Sequence, residues 1–388
     1  MTENTDSYGI YVHIPFCSQF CIYCDFYSVK QFGKREAFSG SLKREISMRR
    51  DGLGEELNKR GVGTIYFGGG TPSVLTASQL SDLLHCIRSQ YQEVRGGVKE
   101  ITVEANPDDV TLSSLKELKL AGFNRLSIGI QSFDDTSLSW MNRRHTAEEA
   151  IKAFYNAKDA GFENISIDLI FGYEMLSEDL WRTTIEKAVS LNPEHISAYQ
   201  MGVEPGTPLY KLAKDGAYTV PDDEVSFGQY RMLQKMLAEA GYCQYEVSNY
   251  SKQGYESQHN SSYWNFTPYL GFGPSAHSFC GDLRSWNHSS VKRYIDGISQ
   301  GEDLCAGFEI LGEKEHFIEF IMLSLRTVIG IDKSKLQGNY REFLTEEFLA
   351  SLERQKMAGN LVDDGGYIKI PPEKLFISDG IIRSIYWE

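Results

Sequence analysis

The chain has 388 residues, 12% of them aromatic, and a net charge of −14. The length gives room for about two domains, and the aromatic content, with no low-complexity run, excludes a largely disordered chain. The acidic balance argues against a protein built to grip nucleic acid phosphates. Seven cysteines, three of them at Cys17, Cys21 and Cys24, do not make the even set of a disulfide framework. The opening Met1-Thr-Glu-Asn-Thr-Asp carries no secretory pattern, and no run reaches the ~18 continuous apolar residues of a membrane span. The expectation is a soluble protein of the reducing cytoplasm.

In chain order, residues 9–14 open a series of short apolar runs that continues at 63–67, 100–104, 125–130, 164–170 and 195–201. Several of them read as nearly continuous in apolar residues, as strands buried on both faces do. Helical patterns lie between them at 35–50, 77–90, 113–121, 147–160 and 178–190. Thr111 and Thr146 stand where N-caps belong, and Gly122 and Gly161 where helices end. Strict β/α alternation predicts a parallel sheet with right-handed crossovers. About six such units fall short of the eight that close a full barrel. The expected fold is therefore α/β, an open, partial (β/α)6 barrel. After residue 201 comes a Gly/Pro-rich stretch, a long helix over 222–240, and an aromatic, Gly/Ser/Asn-rich segment over 245–279 with no clear assignment. Residues 312–388 read as helical, with an amphipathic core helix at 313–326 and a hairpin near 361–370 turning on Asp364-Gly-Gly. The pattern divides the chain into a core over 1–240, a connecting segment over 241–305 and a small, mainly helical C-terminal domain over 306–388.

Tyr11-Val-His-Ile-Pro-Phe-Cys17-Ser-Gln-Phe-Cys21-Ile-Tyr-Cys24 carries the strongest chemical signal. Three soft, anionic thiolates on one short loop suit an iron–sulfur cluster, and a four-iron cubane held by three cysteines leaves one iron open. A zinc site completed by a distant ligand and unconnected thiols are the other readings; structural zinc more often uses paired Cys-x2-Cys units. Gly68-Gly69-Gly70-Thr71-Pro72 follows a strand. Glycines there let the backbone approach a ligand and offer amide donors, or simply make a tight turn; no Gly-Lys-Ser/Thr follows, so this is no nucleotide P-loop. Glu104 and Gln131 end strands and Asp168 lies in one. Each alone is as readily a cap or an ion-pair partner, but their recurrence at the C-terminal mouth of parallel strands is where ligand contacts are expected. His259 with Tyr263 and Trp264 offers an imidazole beside flat aromatics, a packing cluster or a heme-binding one. Arg284, Lys292 and Arg293 are solvated surface or partners for propionates. His13 reads as a packing or hydrogen-bonding residue, and Cys243, Cys280 and Cys305 as buried thiols.

The Cys-x3-Cys-x2-Cys spacing resembles the signature of radical S-adenosylmethionine (SAM) proteins. Tyr-Val-His-Ile-Pro-Phe-Cys resembles the branch holding oxygen-independent coproporphyrinogen III oxidases and HemW-type heme chaperones, and the resemblance covers nearly the whole chain. It implies a partial (β/α)6 radical-SAM barrel whose [4Fe–4S] cluster sits on Cys17, Cys21 and Cys24. It further implies SAM chelating the open iron and reductive cleavage of SAM to a 5′-deoxyadenosyl radical. Gly69, Gly70, Thr71, Glu104, Gln131, Arg143 and Asp168 are the implied SAM contacts, with Tyr11 and Tyr23 flanking the cluster. His259-Asn-Ser-Ser-Tyr-Trp matches a motif associated with heme binding, which makes His259 the implied heme ligand. Gly172-Tyr173-Glu174 stands where the branch usually has Gly-Leu-Pro.

Within the branch three features favour a chaperone that hands heme to an acceptor protein. Cys24-Asp25-Phe26 lacks the oxidases' Cys-Gly-Cys, the first strand begins without their N-terminal extension, and the His-Asn-x-x-Tyr-Trp motif is present. The alternatives are the oxidase itself, decarboxylating two propionates, and a radical-SAM enzyme acting on another substrate.

Overall fold

The computed structural model describes residues 7–51, 54–302 and 304–386, so the opening hexapeptide read for targeting lies outside the described residues. Six strands, β1 (Ser7–Ile14), β2 (Gly61–Gly69), β3 (Glu100–Ala105), β4 (Arg125–Gln131), β5 (Ile165–Phe171) and β6 (His195–Gln200), pair in parallel and in chain order. The crossover helices Arg35–Asp51, Ala77–Gln90, Leu112–Ala121, Ala147–Asp159 and Glu178–Leu191 lie where the periodicity puts them. Thr111 and Thr146 both cap through their side chains in reciprocal capping boxes. Gly122, at φ +110°, closes its helix in a backbone conformation that a side chain would strain.

The strands are two-faced. Ile101 and Val103, Leu126, Ile128 and Ile130, and Ile165, Ile167 and Leu169 are buried in the hydrophobic core. The alternate residues are polar: Glu100, Thr102 and Glu104 on β3, Arg125 and Ser127 on β4, Ser166 and Asp168 on β5. Period-two geometry puts each polar set on the opposite face of the sheet. The near-continuous apolar reading of these runs is corrected accordingly.

Residues 243–310 extend the same sheet. β7 (Cys243–Gln244) and β8 (Asn249–Ser251) follow β6 antiparallel. At the other edge β9 (Tyr269–Phe272) pairs parallel with β1, then β10 (His277–Cys280), β11 (Leu283–Asn287) and β12 (Cys305–Ile310) follow antiparallel. Among the described residues the open sheet thus has twelve strands, in the order β12-β11-β10-β9-β1-β2-β3-β4-β5-β6-β8-β7. Between β8 and β9 runs the short helix Gln258–Tyr263. Its N-terminus rests on Glu100, which accepts from the backbone amides of Gln258 (2.8 Å) and His259 (3.1 Å), as a carboxylate at a helix N-terminus should. The fully buried Arg125 supplies the positive charge that faces Glu100.

Beyond it the helix Glu313–Leu325 buries Phe317, Phe320, Ile321 and Leu325. The hairpin expected near 361–370 is β14 (Val362–Asp363) with β15 (Tyr367–Lys369), joined by β13 (Ile331–Asp332) into a small sheet. Among the described residues no helix is long and apolar enough to cross a membrane.

Candidate functional site

At the C-terminal ends of the parallel strands lies a cavity of about 500 Å3. Cys17, Cys21 and Cys24 line one wall, on the loop that follows β1. That loop is held by its backbone: Cys17 N donates to Val29 O (3.1 Å), Val29 N to Pro15 O (2.7 Å) and Ile22 N to Met141 O (3.3 Å). Asn142, in the left-handed region at φ +60°, donates from Nδ2 to Phe20 O at 2.6 Å and accepts from Gln19 Nε2 at 2.7 Å. Burial pushes the Cys24 thiol up to about 11, a cost that a bound metal reverses, since thiolates are the ligands.

Of the residues singled out beforehand, Tyr23, Gly69, Gly70, Thr71, Glu104, Gln131, Arg143 and Asp168 all line the same cavity as the three cysteines. Arg143 is nearly enclosed. Its Nη1 lies 3.3 Å from Cys21 Sγ, and Nη2 donates to Asn106 Oδ1 (2.7 Å) and Gly129 O (2.6 Å), while Nε is buried without a partner. Tyr66 donates to Glu104 Oε1 at 2.7 Å, and Ser127 to the Asp168 carboxylate at 3.3 Å. Burial raises Glu104 to about 7, and Asp168 is raised by the same cause. Both carboxyls therefore lean toward the neutral form until a cation arrives.

The glycine turn differs from expectation. The amides of Gly70 and Thr71 are spent on Ile14 O (2.9 Å) and Phe16 O (2.8 Å), so they fasten the cysteine loop to the end of β2. A Cβ on Gly70 would come within 2.7 Å of Phe16 O, and one on Gly69 within 2.6 Å of the His13 ring. His13 is structural, bonded to Tyr11 Oη (3.2 Å) and Tyr27 O (3.0 Å).

Two singled-out residues are not brought to this cavity. Tyr11 stacks on Tyr66 behind its wall. His259 is fully buried, its Nδ1 2.8 Å from Thr64 Oγ1 and its Nε2 3.0 Å from Tyr263 Oη. Burial lowers it to about 3. Both ring nitrogens are thus engaged, and iron ligation at His259 would require it to give up one of these bonds. Arg284 is paired with Glu309 and Glu319, and the exposed Lys292 with Asp296. Cys243 is exposed, and Cys280 and Cys305 are half-buried, against the expectation of buried thiols.

Sequence reasoning missed Tyr66, Asn106, Ser127, Ser197 and Tyr199, all in the cavity wall. The period-two alternation of β2 to β6 was the signal for the strand residues. At the departing Gly172-Tyr173-Glu174, Tyr173 is buried and stacks on Trp140 at 5.7 Å.

A radical SAM superfamily profile matches residues 11–188. The chain is 36% identical over 345 residues to the heme chaperone HemW of Bacillus subtilis (strain 168), covering 88% of this chain and 89% of that one. It is 35% identical to the mitochondrial radical S-adenosyl methionine domain-containing protein 1 of Bos taurus, over 97% and 87% of the two chains. The solved coproporphyrinogen III oxidase (HemN) from Escherichia coli, a radical SAM enzyme, matches with a TM-score of 0.83 at 22% identity, over 98% of this chain and 90% of that one. That likeness is one of fold, and it bears out the open α/β architecture with a helical C-terminal region.

Proposed function

The chain belongs to the heme chaperone HemW family of radical SAM proteins, and from that premise we propose that it binds heme and passes it to an acceptor protein. Under this reading Cys17, Cys21 and Cys24 hold a [4Fe–4S] cluster, and SAM occupies the cavity beside them. The observation that carries the cluster and SAM part is the convergence of three thiols and eight further expected contacts on one cavity of about 500 Å3. The donor set fits: soft thiols for iron, a buried guanidinium with an unused Nε–H for a carboxylate, and buried carboxyls for a cation. When bound, cluster and SAM supply one-electron chemistry. The residues around them orient and screen. Arg143 braces the Cys21 side and Asn106 ties Arg143 to Thr71. Tyr66 orients the carboxyl of Glu104. Phe26, 66% exposed where the oxidases carry another cysteine, offers no ligand. We place the protein in the cytoplasm and keep the division at residues 240 and 305 as part of this proposal.

Heme uptake tests the reading: the reconstituted protein should bind about one hemin per chain in a Soret titration, and no uptake would overturn it. The SAM site has its own pH signature. Glu104 is raised to about 7 by burial, so it is protonated below that pH and anionic above it. SAM carries a permanent sulfonium cation, which favours the anion. SAM affinity should therefore rise between about pH 6 and 8, by up to about tenfold, and Glu104→Gln should flatten the rise. An unchanged slope in that variant, measured by equilibrium dialysis, removes Glu104 from the site.

A further inference from the structure

A second cavity, of about 470 Å3, lies beside the same short helix. Gln258–Tyr263 stands between the two: Asn260 lines the cluster-side cavity, Ser261 and the following Trp264 line this one, and His259 is packed away from both. The second cavity falls within the ~300–1,000 Å3 of small-molecule sites. Trp264, Phe266, Phe279, Phe320 and Tyr340 give it flat aromatic walls. The Ser261 hydroxyl in the wall is buried without a hydrogen-bond partner, a group that a ligand would satisfy.

One histidine lines this cavity, His316, from the helix Glu313–Leu325. Its Nε2 lies 2.9 Å from Asp282 Oδ1. A carboxylate accepting the Nε2 proton fixes the tautomer that leaves the lone pair on Nδ1, the arrangement found behind metal-binding histidines. Asp282 is exposed while the His316 side chain is 20% exposed, so the pair sits at the mouth. Arg60, Lys335 and Asp332 line the cavity too.

We propose that this second cavity holds the heme, an apolar macrocycle with two carboxylates, with His316 as the iron ligand and Asp282 orienting it. The inference rests on the heme reading above and names its site. A ligand pair at the mouth suits a cargo that must leave again, and the shared helix places heme and SAM on opposite sides of one element.

The test is an anaerobic titration of full-length protein with hemin, read in the Soret region, beside metal-free protoporphyrin IX followed by fluorescence. His316→Ala should lose the histidine-type Soret band and weaken hemin by about tenfold or more, and Asp282→Asn should weaken it less. Protoporphyrin IX, which offers no iron, should bind wild type and His316→Ala alike. Wild-type spectrum and affinity in His316→Ala overturn the site. So does loss of the band in a folded His259→Ala variant while His316→Ala keeps it. A wild-type protein that takes up no hemin overturns the heme reading itself, which separates the two failures.

Discussion

Replacing Cys17, Cys21 and Cys24 together by alanine should take the anaerobically reconstituted protein from about four iron and four sulfide per chain to near zero. The loss can be read cleanly because backbone ties hold the loop beside its thiol contacts to Gln19 O, Thr71 and Arg143. Its backbone is tied to Val29, Pro15 and Met141, and Asn142 clamps Phe20 O. Helix content and thermal midpoint should therefore stay close to those of the wild-type apoprotein. Iron analysis, acid-labile sulfide and circular dichroism on both proteins check this. Full iron with its absorption band in the variant contradicts the site, and so does stoichiometric zinc in protein purified without oxygen.

Gly70→Val should be almost as damaging through a different route. A Cβ at Gly70 meets Phe16 O at 2.7 Å and Ile14 O at 3.0 Å. Those carbonyls accept the Thr71 and Gly70 amides, so they belong to the joint between β2 and the cysteine loop. Backbone atoms cannot swing aside as a flexible side chain does, and the loop must lift. Overpacking of this kind costs about 1–3 kcal/mol, a fall of a few degrees in thermal midpoint for a chain this long. The larger effect is on function: displaced cysteines should bind iron poorly and SAM affinity should fall with them. Iron content and SAM dialysis measure both. Wild-type values for the two would show that the glycine turn does not set the loop's position.

How far sequence alone reaches differs from element to element. The crossover helices were legible because capping and periodicity agree locally, as at Thr111 with Ser114 and Thr146 with Glu149. The cavity's polar contacts were legible where strands end, because parallel strands all deliver their C-termini to one side. What lay below the strand ends was not. Glu100, Arg125 and Ser166 alternate with Ile101, Leu126 and Ile165, but they are buried beneath the cavity, and their partners come from distant segments such as residues 258–259. β9 to β12 escaped because they are short and the first pairs with β1, some 260 residues earlier in the chain. His259 shows the same limit at one residue. Its motif is visible, but its availability depends on Thr64, a partner 195 positions away that holds Nδ1. The Gly70 amide is a further case: a glycine-rich turn announces a close approach, and only the fold reveals that the approaching partner is the chain's own cysteine loop.

A radical-SAM scaffold that carries heme should be distinguishable from one that makes heme's precursor. One anaerobic experiment divides the two: protein reconstituted with iron and sulfide, supplied with SAM and reductant, and offered coproporphyrinogen III in one vessel and hemin in another. The expected result is about one hemin bound per chain and coproporphyrinogen III recovered unconverted. Protoporphyrinogen IX formed over multiple turnovers would contradict it and make the chain an oxidase.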